Sequence, residues 1–470
     1  MSPALHIRID RSAKATLVEQ IRQGILAAVS SGALAPGARL PSWITLAAQL
    51  GVARGTVKSA YERLADEQVV VSSRSGGTRV ANHPARAGRA TPPTETDTSP
   101  ALYQHLLASP AIFQMGVPAA DGFPTSLLAR LRAQAARAEV AAPAIYPDPR
   151  GDIELRREIA AHVALARGLE CRPSQIFITT GFAGALGMTL RVLGAEGRQA
   201  WMENPGFFQS RKALELARLV PVPIPVDEDG IDVSYGIENA PDAALALVTP
   251  GQQAPLGATL SLKRRLELIA WAARTGAWIL EDDYLGELQL HRRAAPALAS
   301  LDRDGRVIHL GSFSKTISPA LRLGFVVAPT TLAARFAEAA LCFGSAPGPA
   351  VQRAIAQFMR EGHYMRHLRR LKRIYSARSA ALQTALEQKG YRTHIGGLSA
   401  IVHLADDVSD IDIAQNALGH GLGPSPLSPW FSAGTNHRSG LLLGIATVNE
   451  DQISAACRKL HQLIVASERK

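Results

Sequence analysis

Residues 16–31 carry Leu17, Ile21, Ile25, Leu26 and Val29 at helical spacing, the apolar stripe of an amphipathic helix. Gly32 and Pro36-Gly37 end it. A second helix is expected over residues 42–50, with Ser42 after Pro41 as its N-cap and Gly51-Val52 as a tight turn beyond it. A third is expected over residues 54–66, with Val57, Ala60, Tyr61 and Leu64 turned inward. Val69-Val70-Val71 and Thr78-Arg79-Val80 then flank Ser75-Gly76-Gly77, the pattern of a β-hairpin. Two short helices about a tight turn, the second opening on cationic and hydroxylic residues, describe a helix-turn-helix, and the hairpin reads as its wing. On that reading Arg54, Thr56 and Lys58 face the major groove or its phosphates, with Thr78 and Arg79 on the wing.

The pattern then changes. Residues 82–100 are rich in Pro, Ala, Thr and Arg and nearly lack large apolar side chains, so residues 82–108 read as a flexible linker. From Phe113 onward short apolar runs alternate with helical periodicity, the mark of an α/β domain with a mainly parallel sheet. Expected strands include Ile176-Phe177-Ile178-Thr179, Leu219-Val220-Pro221-Val222, Ala244-Leu245-Ala246-Leu247-Val248, Trp278-Ile279-Leu280 and Val307-Ile308-His309-Leu310. Beyond residue 331 long helices dominate. One helix is expected over residues 358–386, with a basic face of Arg366, Arg369, Arg370, Lys372, Arg373 and Arg378 that reads as solvated surface ahead of a second nucleic-acid patch. Ala400-Ile401-Val402-His403-Leu404 and Leu441-Leu442-Leu443-Gly444-Ile445-Ala446 are expected strands of a smaller C-terminal lobe. The domains expected are therefore residues 1–81, the linker 82–108, and residues 109–465, the last with a large lobe over 113–330 and a C-terminal lobe over 331–465.

Composition adds bounds. A chain of 470 residues fits roughly two to four domains. Its 47% hydrophobic and 19% charged residues suit a globular protein with a large core. No stretch reaches the ~18 uninterrupted apolar residues of a membrane helix. The first residues lack the apolar core of a signal peptide. Cys171, Cys342 and Cys457 are too far apart for metal spacing or a disulfide framework, which fits a reducing, cytoplasmic setting without a metal site. The net charge of +11 makes nucleic acid a reasonable partner. Residues 1–81 hold 10 Lys+Arg against 5 Asp+Glu, a net of +5 in about a sixth of the chain.

Candidate chemistry gathers around Ser312-Phe313-Ser314-Lys315, a Ser-rich turn between two apolar runs. Only nine of the 51 Lys+Arg residues are lysines. A lysine in such a turn ends in a pocket, where desolvation lowers its pKa and exposes a nucleophilic amine. Arg322, seven residues on, suits a fixed anion such as a phosphate. Four further elements fall at strand ends, where open α/β sheets bind ligands. Thr180-Gly181-Phe182-Ala183 opens a helix whose backbone N–H groups can hold a phosphate. Phe207 follows the turn Asn204-Pro205-Gly206 and can stack on a planar ring. The loop from Thr249 to Gly257 is the third, and Glu281-Asp282-Asp283-Tyr284 is the fourth. A lysine amine, a carboxylate for a ring nitrogen, a tyrosine for a phenolic oxygen and a phosphate cradle match the needs of pyridoxal 5′-phosphate (PLP).

Two resemblances follow. Leu40-Pro41-Ser42, Leu46-Ala47, Leu50-Gly51-Val52-Ala53-Arg54, Thr56-Val57, Ala60-Tyr61, Leu64, Glu67 and Gly77-Thr78 resemble the winged helix-turn-helix of GntR-type bacterial regulators. That family usually has Arg where Ile44 stands. The set around Lys315, together with Tyr146-Pro147-Asp148-Pro149-Arg150-Gly151, resembles the fold-type I aminotransferases. Joined, they resemble the MocR subfamily of regulators. The fold implied is an all-α/winged helix-turn-helix N-terminal domain plus an α/β PLP-dependent transferase of fold type I, with a large parallel-sheet lobe and a smaller α+β C-terminal lobe.

The resemblance implies that Lys315 is the Schiff-base lysine, Asp282 pairs with the ring nitrogen and Tyr284 bonds the phenolic oxygen. Ser312, Ser314, Arg322 and the backbone of Gly181, Phe182 and Ala183 bind phosphate, and Phe207 stacks on the ring. Tyr146 reaches the phosphate of the partner subunit in a head-to-tail homodimer. Ser42 joins Arg54, Thr56, Lys58, Thr78 and Arg79 as a contact to double-stranded promoter DNA. Ala254 stands where the family has an Asn that bonds the phenolic oxygen. Leu442 stands where aminotransferases place the Arg that clamps the substrate carboxylate, and Arg438 lies in the turn before it. Without a bidentate clamp, substrate positioning suffers. The reading is therefore a PLP-dependent transcriptional regulator that senses PLP or an amino compound, capable at most of a half-reaction. The alternative is an active aminotransferase with an attached DNA-binding unit.

Overall fold

A computed structural model describes residues 7–13, 15–73, 77–82, 110–290, 295–344, 346–435 and 438–468. The linker expected over residues 82–108 lies, apart from Asn82, outside the described residues, as does the wing tip at Ser75-Gly76. The chain divides into two compact units, Met1–Pro100 and Ala101–Lys470.

In the first unit α1 (Leu17–Ser30) is capped by Thr16, whose hydroxyl accepts from Glu19 N. α2 (Trp43–Leu50) is capped by Ser42, which accepts from Thr45 N at 3.0 Å, and it ends on Gly51 at φ 63°. α3 (Arg54–Asp66) turns Val57, Ala60, Tyr61 and Leu64 inward against Ile21, Ile25 and Leu46. The Tyr61 hydroxyl donates to Pro41 O at 2.9 Å, so α3 fixes the entry to α2. β1 (Val70–Ser73) and β2 (Gly77–Val80) form an antiparallel hairpin with Val70 opposite Val80.

The second unit holds β3 (Ile176–Thr179), β4 (Gln199–Asn204), β5 (Val220–Asp227), β6 (Gly230–Ile231), β7 (Leu245–Val248), β8 (Trp278–Asp283), β9 (Val307–Ser312) and β10 (Gly324–Val327). They form one eight-stranded sheet in the order β3-β10-β9-β8-β7-β4-β5-β6. The central run β9-β8-β7-β4-β5 is parallel, while β10 is antiparallel to both of its neighbours. Strand alternation sends Phe177, Met202, Leu280 and Val326 to one apolar layer. Trp201 and Ile279 face a second layer, and Ile176, Ile178 and Phe325 a third that runs on into the C-terminal lobe.

That lobe is built on β11 (Thr393–Gly396), β12 (Ser399–His403), β13 (Ser425–Pro426) and β14 (Gly440–Gly444), an antiparallel sheet ordered β11-β12-β14-β13. Its backbone meets the large lobe at Gly257, where φ is 82° and any Cβ would overlap Gly396 Cα. The single helix expected over residues 358–386 is two helices, Pro349–Arg360 and His363–Glu387. Gly362, at φ 70°, ends the run between them, a conformation that helical periodicity alone does not reveal. Arg378 is not part of a basic surface. It is buried, donating to Ala446 O, Asp121 Oδ2 and Asn449 Oδ1. No helix among the described residues is long and apolar enough to cross a membrane.

Candidate functional site

Strand register assembles the site. Gly324, the first residue of β10, lies opposite Thr179 of β3 on one side and Ser312 of β9 on the other. Because β10 runs antiparallel, its start lies level with the ends of β3 and β9. The Ser312 turn, the helix Gly181–Leu193 and Arg322 therefore converge on one edge. Ser312 Oγ donates to Ser314 Oγ at 3.0 Å and accepts from Ser314 N at 3.2 Å. Arg322 is exposed, holds φ 48° and makes no ion pair among the described residues. The helix after β3 has no side-chain cap, so its first N–H groups, from Gly181 through the exposed Ala183, are free to meet an anion.

Lys315 is half-buried, and Nζ donates to Gly116 O at 2.6 Å. Burial lowers its pKa to about 8, against the opposing pull of the Asp282 carboxylate. Asp282 is only 7% exposed. Burial, then Asp283 and Glu203, hold its pKa well above the ordinary carboxylate range, with Lys315 opposing. Among the described residues its carboxylate accepts no hydrogen bond. Tyr284 is similar: burial and the Asp282 charge push its phenol upward, and its hydroxyl has no partner among the described residues.

The neighbours of Asp282 on β8 point the other way. Glu281 accepts from Leu298 N at 2.6 Å, from Ala299 N at 3.0 Å, and pairs with His309 Nδ1 at 3.0 Å. Asp283 pairs with the buried Arg167 at 2.7 Å. Burial alone would lower His309, but Glu281 outweighs it and raises the imidazole pKa; Glu281 is correspondingly lowered. Glu281 lies directly opposite His309 in the parallel register of β8 and β9. One strand thus carries two compensated carboxylates on one face and one uncompensated carboxylate on the other. Arg167, His309 and Gly116 escaped the sequence reading. The i, i+2 spacing of Glu281 and Asp283 was a usable signal for the first two; nothing local marks Gly116.

Phe207 packs its ring at 5.7 Å from Trp430 and 6.4 Å from Phe182, and shares an apolar cluster with Tyr284, Ala254 and Leu442. The adjoining loop is held from below by Glu203, which accepts from Thr249 N at 3.0 Å and Thr249 Oγ1 at 2.5 Å. Leu442 is 0% exposed, opposite Ile401 of β12. Arg438 is exposed and lines a groove of ≈ 1220 Å³ with Asn204, Leu256 and Gln289, a lining to which Asp282 and Lys315 do not contribute. Tyr146 is 100% exposed and joins none of these residues within its own chain.

The set fits PLP on a direct observation. A buried carboxylate that accepts no hydrogen bond among the described residues either takes up a proton or pairs with a cationic N–H donor, and a pyridinium is such a donor. The Lys315 amine with its lowered pKa, the Tyr284 phenol, which has no partner among the described residues, the uncapped helix start at Gly181 and the exposed Arg322 are of the types the rest of that group would need.

In the first unit Arg54 stands at the first position of α3, exposed and without an ion pair among the described residues. Thr56 is half-buried, and Lys58 is exposed beside Glu62 at 3.7 Å. The Ser42 hydroxyl serves first as a cap and contacts Thr45 Oγ1 at 2.7 Å. Thr78 Oγ1 bonds Ser72 Oγ at 2.9 Å, and Arg79 donates to Gly37 O at 3.1 Å. Ile44 is 46% exposed. Arg39, which the sequence does not single out, pairs its backbone with that of Arg79 in an antiparallel bridge, and its guanidinium lies against Gly77 of the hairpin.

Comparison with known proteins agrees with this geometry. Residues 119–411 match the aminotransferase class I and II family, and residues 17–80 match the gntR family of bacterial regulatory proteins. The probable rhizopine catabolism regulatory protein MocR of Rhizobium meliloti is 32% identical over 481 residues, covering 98% of this chain and 96% of that one. The pyridoxine biosynthesis transcriptional regulator PdxR of Corynebacterium glutamicum is 33% identical, covering 96% and 95%. Among solved structures, the α-aminoadipate aminotransferase LysN of Thermus thermophilus superposes with a TM-score of 0.71 at 26% identity, covering 79% of this chain and 96% of that one. The relatives match almost end to end, and the chain belongs to the MocR subfamily of GntR-type bacterial transcription regulators, whose DNA-binding unit is fused to a PLP-dependent fold of the aminotransferase class I and II type.

Proposed function

We propose that this regulator reads PLP, or an amino compound that reacts with it, through the site around Lys315 and transmits the occupancy to operator DNA. When bound, the cofactor supplies an aldehyde carbon reactive toward primary amines. Lys315, kept partly neutral at physiological pH, is the covalent handle. Asp282 holds a proton at the ring nitrogen, Tyr284 donates to the phenolic oxygen, and Phe207 covers the ring face. Ser312, Ser314, Arg322 and the backbone of Gly181, Phe182 and Ala183 take the phosphate. Residues 1–81 act as the DNA reader through Ser42, Arg54, Thr56, Lys58, Thr78 and Arg79, residues 82–108 as the connector, and residues 109–465 as the sensor. The fully exposed Tyr146 suits a site completed by a second copy in a head-to-tail homodimer, and the chain works in the cytoplasm.

The observation that favours sensing over turnover is Leu442. It is apolar and fully buried, and it stands where the aminotransferase resemblance puts the arginine that clamps a substrate carboxylate. Without a clamp, an amino compound is captured but poorly oriented for multiple turnover. That PdxR is named for pyridoxine biosynthesis supports PLP itself as one effector. The test is a titration of the purified protein with PLP and a panel of amines, read in parallel by visible absorbance and operator binding. Coupled changes are expected. Steady turnover of an amino acid with a keto acid would instead establish the aminotransferase alternative.

A further inference from the structure

The helix His363–Glu387 carries an unbalanced charge near its start. Arg366, Arg369, Arg370 and Arg373 recur at i, i+3, i+4 and i+7, which places them on one stripe, and all four are exposed. None makes an ion pair among the described residues. Arg366 donates to Glu361 O and His363 Nδ1, Arg369 to Met365 O and Arg370 to Asp121 O, all uncharged acceptors apart from the titratable imidazole. Among the described residues, the acidic groups next to these contacts are already engaged: Glu361 by Gln357 and His363, and Asp121 by Arg378. The only acidic residue in the 25-residue helix is Glu387, at its far end.

This arrangement works against the helix itself. Arg366 and Arg370, and Arg369 and Arg373, are like charges four residues apart, which repel. Arg366 lies in the first turn, where the helix dipole already presents positive charge. A face that served only for solvation would mix signs. The stripe is relieved by a polyanion. Over seven residues it spans ~10 Å, about three phosphates of one DNA strand at ~3.4 Å each. The chain also holds more positive charge than its DNA reader accounts for, since residues 1–81 contribute +5 of the net +11.

We propose that this arginine stripe on the PLP-binding unit is a second, sequence-independent contact to duplex DNA outside the operator. It rests on the chain's being a DNA-binding regulator. An acidic protein partner is the competing occupant, and the bound polyanion would tell them apart.

The test uses the full chain loaded with PLP and two duplexes, a footprinted operator and the same operator extended by two helical turns on each side. The wild type should favour the longer duplex. Replacing Arg366, Arg369, Arg370 and Arg373 together by Gln should remove that preference. It should also reduce the slope of log affinity against log salt on the longer duplex by at least about 2, at ~0.9 per phosphate released. The matching Arg→Lys variant should retain both. If the Gln variant is unstable, Arg373→Gln alone, which breaks no hydrogen bond or ion pair among the described residues, should lower the slope by about 1. Unchanged slope and preference, with operator binding intact, overturn the stripe. Absence of operator binding in the wild type overturns the regulator reading itself.

Discussion

Lys315 Nζ donates a hydrogen bond to the carbonyl oxygen of Gly116 at 2.6 Å, joining residues 199 positions apart. Gly116 holds φ 90°, and a Cβ there would lie 3.2 Å from Nζ. Gly116→Ala should therefore be penalised twice, by a strained backbone costing about 1–3 kcal/mol and by crowding of the amine. The expected outcome is roughly tenfold weaker PLP binding, measured by equilibrium absorbance. Unchanged affinity would mean the Gly116 contact has no bearing on the lysine.

The pKa of Lys315 sets a pH dependence. The neutral amine is the nucleophile, and burial moves its pKa down to about 8. Capture of PLP by the cofactor-free protein should speed up as pH rises and level off above about pH 8. An ordinary lysine would go on gaining toward its reference pKa of roughly 10.4. Stopped-flow absorbance checks the profile, and Lys315→Ala should abolish the visible band.

Asp282, proposed above as the partner of the ring nitrogen, carries a cost in stability. Its pKa is raised in the folded state, so above the ordinary value of 3.8 its charge costs folding energy, increasingly as pH rises toward the raised pKa. Asp282→Asn should raise the Tm of the cofactor-free protein at neutral pH, by roughly 2–4 °C per kcal/mol relieved, while weakening PLP binding. A fall in both would contradict the assignment of Asp282 as an unpaired carboxylate.

The Glu281–His309 pair has the opposite sign. Glu281 is lowered, so its contribution is complete above 4.5 and fades as pH falls through its depressed value. His309 is raised, so its contribution is complete below 6.5 and fades as pH rises through its elevated value. His309→Gln should cost about 3–5 kcal/mol, with the largest difference from wild type between pH 4.5 and 6.5. Denaturant midpoints across pH measure this.

On the DNA side, Arg54→Ala should weaken operator binding about tenfold or more, with similar loss across related sequences if it contacts phosphate and relaxed specificity if it reads a base. Competition gel shifts separate the two outcomes.

Much of this was legible in the chain. Periodicity located α3 because Val57, Ala60, Tyr61 and Leu64 are strong apolar positions between clear turn signals. The run Ile176 to Thr179 was equally plain, being buried on both faces. Lys315, Asp282, Tyr284 and Arg322 stood out because reactive or charged side chains at strand ends need a reason. β4 was missed because Trp201, Met202 and Glu203 mix apolar bulk with a buried carboxylate that only tertiary hydrogen bonds make tolerable. The break at Gly362 was missed because the apolar stripe continues across it. Arg167 was hidden because a buried arginine looks like a surface one until its partner, Asp283, is found 116 residues away.

The reversed direction of β10 has one further consequence. The strand lies between β3 and β9 in the interior of the sheet, hydrogen-bonded on both sides. Amides at Gly324 to Val327 should thus exchange with solvent only through large-scale opening, even in protein stripped of cofactor. The turn bearing Lys315 and the residue Arg322 is moored to that slow-exchanging strand. The frame of the proposed site would then stand before any ligand arrives, and none of a ligand's binding energy would go into assembling it.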